Sequence, residues 1–137
     1  MELTIEQALR QCVTAHKEGN LQEAERLYRA IIQSHPAHPD ANHNLGVIAV
    51  SANKVNEALP LFKTALEANP NIEQFWLSYI DALVKADQTA DAKKTIKKAK
   101  KKGIDTKNLN VLLSQSKQKS DAKEPSQDQL RGLFESY

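Results

Sequence analysis

The sequence predicts an all-α fold of paired helices, and three observations lead there. The chain repeats at an interval of 34 residues, in segments 5–38, 39–72 and 73–106 that align without a gap. Each segment carries two stretches of apolar residues at helical spacing, separated by a turn signal. Gly and Pro are scarce, at four and five of 137 residues. That is too few for an all-β chain with many tight turns. A period of this length signals stacked helical units, none of which buries its apolar face alone.

The elements follow in order. Thr4 can cap a first helix, with Gln7 three residues on to complete a capping box. That helix should stop near Gly19, because glycine takes the left-handed conformation freely. Asn20, with Glu23 three later, starts a partner helix running to about Ser34, before Pro36. The second unit uses about 39–52 and 55–68, with Asn53 at the turn. The third uses about 72–86 and 89–102, with Asp87 at the turn and Gly103 as the stop. Residues 107–118 continue the register with Leu109, Val111, Leu112 and Leu113 on one face. They read as a half-repeat that covers the exposed end of the stack, so the repeat domain spans 1–118. A partner-binding helix is the alternative. The polar stretch from Lys117 to Pro125 has no periodicity, and 119–125 is assigned as a linker. Ser126 then starts a partial helix over 126–137, with Gln129 completing a capping box and Leu130, Leu133, Phe134 and Tyr137 on its face.

Residue types fit this geometry. Alanine recurs at Ala24, Ala58 and Ala92, where two helices must approach closely. Four residues later come Tyr28, Phe62 and Ile96, large groups on the same face that fill the space beside the contact. Ile31, Ala65 and Ala99 follow at three further. Pro36 and Pro70 close the first two units, and Ile104 takes that place in the third. On the first helices, Gly46 and Cys12 occupy an equivalent small-residue slot.

Period, alanines, aromatics and prolines together resemble the tetratricopeptide repeat family, over residues 5–106. The resemblance implies a right-handed α-α superhelix of three helix pairs with a C-terminal capping helix. Two departures stand out: the aromatic expected early in each first helix is present only as Trp76, with Ala8 and Asn42 elsewhere, and unit three lacks its proline. The segment after Pro125 resembles the lead-in to a further repeat block in bacterial members, some of which carry transferase domains downstream. On that resemblance the chain is expected to be an N-terminal fragment of a longer protein.

In this family the first helices line a concave groove. Carried over by position, the groove residues are Glu6, Leu9, Val13, His16 and Lys17 in unit one. Unit two supplies Asp40, His43, Val47, Val50 and Ser51, and unit three Gln74, Leu77, Asp81, Val84 and Lys85. An apolar stripe rimmed by charge often marks an interaction site. Each valine also suits the core between neighbouring helices, whereas His16, His43, Asp81 and Lys85 are expected in solvent. The function expected is a protein–protein interaction scaffold that holds a peptide or partner domain, a downstream domain of the same polypeptide being one candidate. Leu130–Tyr137 is itself a candidate to fold back into the groove. The family's carboxylate clamp for chaperone tails falls at Leu9, Val13, Asn44, Gln74 and Ser78, which lack its cations.

Charge supplies the competing expectation. Residues 1–72 hold six Lys/Arg against eight Asp/Glu, and residues 73–137 hold thirteen against nine. The excess is a lysine run at Lys93, Lys94, Lys97, Lys98, Lys100, Lys101 and Lys102. It reads first as a solvated outer helix face, with lysines complementing the helix C-terminus. A basic patch for nucleic acid or an anionic membrane surface is the alternative. Absence of interleaved aromatics or arginines argues against nucleic acid. A non-catalytic targeting module of a larger transferase is the third possibility.

Catalytic chemistry finds little support. Cys12 should be buried and inert. The carboxylates form no evident acid–base pair, and no Gly-rich phosphate loop exists. His35 and His38, in His-Pro-Ala-His-Pro, read as solvated turn residues, and His16 with His43 as at most an adventitious metal pair. No cofactor and no metal are expected. A single cysteine excludes an internal disulfide and points to the cytoplasm. No run approaches the roughly 18 apolar residues needed to cross a membrane.

Overall fold

The computed structural model describes residues 3–121, with side chains as far as Ser114. All regular structure among them is helical. The helices are α1 Ile5–Lys17, α2 Leu21–Ser34, α3 Pro39–Ser51, α4 Val55–Ala68, α5 Glu73–Lys85, α6 Thr89–Lys101 and α7 Lys107–Asp121. Consecutive helices pair as α1–α2, α3–α4 and α5–α6, and α7 lies against both α5 and α6.

Turn chemistry recurs with the period. Gly19, Asn53 and Asp87 each adopt a positive φ, at 79°, 61° and 59°. The following amide closes each turn: Asn20 donates to the Ala15 carbonyl at 2.9 Å, Lys54 to Ala49 at 2.8 Å and Gln88 to Leu83 at 2.8 Å. This is the bond that satisfies an orphan carbonyl at a helix end when the next residue is left-handed. Asn and Asp tolerate that conformation because their short polar chains bond locally. Gly103, with φ 82°, repeats the device after α6.

Helix starts are equally local. The Thr4 hydroxyl accepts from the Gln7 amide at 3.1 Å while Gln7 Oε1 accepts from the Thr4 amide at 3.0 Å. Asn20 Oδ1 accepts from the Glu23 amide at 3.4 Å. His38 is a cap rather than a solvated turn residue: its Nδ1 accepts from the Ala41 amide at 3.1 Å. The ring Nδ1, as many bonds from Cα as the side-chain oxygen of Asn, reaches the donors that Ser or Asn would otherwise satisfy. His35 is exposed, beside the Ser34 hydroxyl at 2.9 Å.

The alanine slots are closed, with Ala24, Ala58 and Ala92 all fully buried beside Tyr28, Phe62 and Ile96. The Phe62 ring packs directly on the backbone at Gly46, where an added Cβ would lie 2.5 Å from Phe62 Cε1. A second periodic tie joins units. Asn42 Nδ2 donates to the Pro36 carbonyl at 3.0 Å, and Trp76 Nε1 donates to the Pro70 carbonyl at 2.8 Å. Both donors are 34 residues apart, and so are both prolines. Proline closes the preceding helix, and its carbonyl is held by the next unit's first helix. Unit one has Ala8 at this position, which has no such donor.

The α7 helix runs through Asp121, so the stretch taken for a linker from Lys117 begins as helix. Lys and Gln are good helix formers, and no Gly or Pro interrupts them before Pro125. The remainder of that stretch, and the helix expected over 126–137 with Leu130, Leu133, Phe134 and Tyr137, lie outside the described residues.

Candidate functional site: a polar pocket between the first helices

The first helices α1, α3 and α5 come together around a cavity of about 540 Å³. Its lining is Val13, His16, Lys17, Tyr28, His43, Asn44, Val47 and Gln74. Six of these were expected in the groove: Val13, His16, Lys17, His43, Val47 and Gln74. The remaining nine do not reach it. Leu9, Val50, Leu77 and Val84 are half-buried, and Glu6, Asp40 and Ser51 are exposed. Asp81 and Lys85 pair with each other at 2.9 Å along α5.

Two polar residues expected in solvent are buried. His43 is 8% exposed and Asp81 5%. The reason for His43 is tertiary. Its ring sits between those of Phe62 and Phe75, at centroid distances of 5.5 and 4.8 Å. One aromatic comes from its own unit's second helix and the other from the next unit's first. Asp81 is covered where α5 meets its neighbours, and Lys85 lies over it with its own side chain mostly shielded. A partly buried cation one turn on supplies the pairing that a buried carboxylate requires.

His43 also anchors a hydrogen-bond chain across the α3–α5 contact. Burial pushes its pKa down, so the ring is neutral at neutral pH. Gln74 Nε2 donates to Ser78 Oγ at 3.3 Å, and Ser78 Oγ lies 2.7 Å from His43 Nε2. His43 Nδ1 lies 3.2 Å from Asn44 Oδ1. A neutral imidazole carries one proton. Asn44 Oδ1 can only accept, so the proton is on Nδ1 and Nε2 accepts from the Ser78 hydroxyl. The direction is then the same throughout, from Gln74 to Ser78 to His43 to Asn44. Three of the four members line the cavity.

Tyr28 and Asn44 were missing from the expected lining. Tyr28 belongs to a second helix, and its aromatic position reads as core. It is core, fully buried, yet it is also among the residues that line the cavity. Burial raises that hydroxyl to about 12, with Asn44 acting in the opposite direction. The two groups are neighbours, but the hydroxyl has no hydrogen-bond partner of ordinary geometry among the described residues. His16 is partly buried on the same wall, and burial lowers its pKa too.

The other candidate residues stay apart from this site. Cys12 is fully buried, and desolvation raises its thiol, which disfavours the reactive thiolate. Lys93, Lys94, Lys97, Lys98, Lys100 and Lys101 are all exposed on α6, while Ala92, Thr95, Ile96 and Ala99 form its buried side. None of these lysines has an ion-pair partner among the described residues. No described helix is long and apolar enough to cross a membrane.

Comparison with known proteins agrees with the periodic geometry. No curated protein matches the chain. Two family models, each described as tetratricopeptide repeat, match residues 14–71 and 49–115. Their spans overlap through α4 and together take in most of the seven helices. With paired helices, left-handed turns at one interval and closed alanine slots, the chain belongs to the tetratricopeptide repeat family.

Proposed function

We propose that the chain is a protein-binding scaffold that holds an extended peptide or partner segment in the groove of α1, α3 and α5. Repeats of this family generally mediate protein–protein interaction. The observation that carries the reading here is the cavity itself. It joins half-buried Val13 and Val47 to hydrogen-bonding groups on Asn44 and Gln74. Apolar walls with a few placed polar groups are what a peptide side chain and its backbone need. The carboxylate clamp is not available, because Leu9 and Val13 supply no cation, and Gln74 and Ser78 are engaged with each other.

Selection of peptides from a displayed random library, followed by NMR titration, tests the reading. Amide shifts should concentrate at Val13, His16, Val47 and Gln74. Val47→Asp should weaken binding at least about tenfold while the circular dichroism stays the same. Affinity should change little with salt, because apolar contacts are not screened. Shifts concentrated on Lys93–Lys101, with steep salt dependence, would instead favour a polyanion on α6. An acidic C-terminal tail peptide should not bind, and a low-micromolar affinity by calorimetry would overturn that.

A further inference from the structure

The 34-residue register does not stop at α7. Position for position, Ser126 follows Ala24, Ala58 and Ala92. Leu130 follows Tyr28, Phe62 and Ile96, and Leu133 follows Ile31, Ala65 and Ala99. Asp121 falls where Gly19, Asn53 and Asp87 turn the chain left-handed. The segment has a small residue, a large apolar residue and a further apolar residue at the three spacings that mark every second helix.

The structure shows what such a segment would cover. Each first helix has a slot that faces its own second helix, filled by Cys12, Gly46 and Ile80. All three are buried, and at Gly46 the covering group is Phe62. The equivalent residue on α7 is Ser114, and it is exposed. Beside it Leu113 is half-buried, as is Tyr79 at the same place in unit three, while Leu45 in unit two is 2% exposed. The inner side of α7 is already satisfied, since Leu109 is fully buried against α5 and α6. The face left open is the one a second helix occupies in every other unit. Sizes match as well: a small residue on the first helix meets a large one on the second in units one and two, as Ser114 would meet Leu130.

We propose that the open face of α7 is the docking surface for residues 123–137 of this same chain, completing a fourth helix pair. Seating the segment requires α7 to end near Lys119, two residues before its present end, so that Asp121 can turn. Pro125 then falls in the first turn of the docked helix, where its missing amide costs no bond. Leu130 and Leu133 are buried against α7 and are not free to enter the groove of α1, α3 and α5.

NMR on the intact chain decides it. Methyl-labelled leucines should show nuclear Overhauser contacts between Leu130 and Ser114. Leu130→Asp should cost the Leu109–Ser114 amides at least about tenfold in hydrogen-exchange protection, since they lose their cover. Contacts from Leu130 to Val13 or Val47, contacts to a second copy, no long-range contacts, or unchanged protection in Leu130→Asp would each overturn the proposal.

Discussion

His43 shows how one side chain takes its behaviour from what surrounds it. Between Phe62 and Phe75 its pKa lies below the ordinary 6.5. The unfolded chain therefore binds a proton here more readily than the fold does. That contribution to stability is full above about pH 6.5 and is lost as pH falls through the lower folded value. Urea midpoints should drop between neutral pH and about pH 5, and His43→Gln should flatten that drop more than His16→Gln. An unchanged drop in His43→Gln would show that the buried imidazole is not its source. Gly46 is the second residue whose neighbour decides. Alanine gains about 1 kcal/mol over glycine inside a helix. Against that, its Cβ would meet the Phe62 ring at 2.5 Å, and overpacking costs about 1–3 kcal/mol. Gly46→Ala should destabilise by about 1 kcal/mol in urea melts. In a Phe62→Leu background the same change should become neutral or favourable.

Among the elements, α6 carries the clearest imbalance. Lys93 and Lys97, Lys94 and Lys98, Lys97 and Lys101, and Lys98 and Lys102 are all like charges one turn apart. Such pairs each cost a few tenths of a kcal/mol. Lysines in the last turn offset part of this by complementing the helix C-terminus. The helix persists because Ala92, Thr95, Ile96 and Ala99 are buried beneath it. Lys94→Glu should stabilise the chain by about 0.5 kcal/mol at low salt, with the gain shrinking as salt rises. Thermal melts across a salt series read this directly. A gain that does not respond to salt would assign it to propensity rather than charge.

For the whole molecule, stability is passed from neighbour to neighbour. Among the described residues each unit packs mainly against its neighbours, so the last covered helix protects the one before it. Leu109 is fully buried and packs into the cluster of Phe75, Trp76, Ile80 and Leu83. Leu109→Ala should cost about 2–4 kcal/mol. The loss should appear as faster exchange in α5 and α6, with α1 and α2 little changed. Uniform loss over all helices would mean that the array unfolds as one cooperative block instead.

The sequence by itself determined most of what is local or periodic, though not the His38 cap or the ties from Asn42 and Trp76 to the preceding prolines. Turns at Gly19, Asn53 and Asp87, caps at Thr4 and Asn20, and closed slots at Ala24, Ala58 and Ala92 need only a few residues and one interval. The lysine side and the buried side of α6 were legible for the same reason. Tertiary structure alone decided which groove positions meet. His43 is buried by rings 19 and 32 residues away in the chain, and Tyr28 reaches the cavity from a second helix. A repeat assigns each residue a place within its unit, but burial also depends on what the adjacent unit puts against it. The adjacent units differ in sequence, so the polar chain from Gln74 to Asn44 could not follow from the period; Asp81 and Lys85 are one turn apart on α5, and only the burial of Asp81 was left to the tertiary structure.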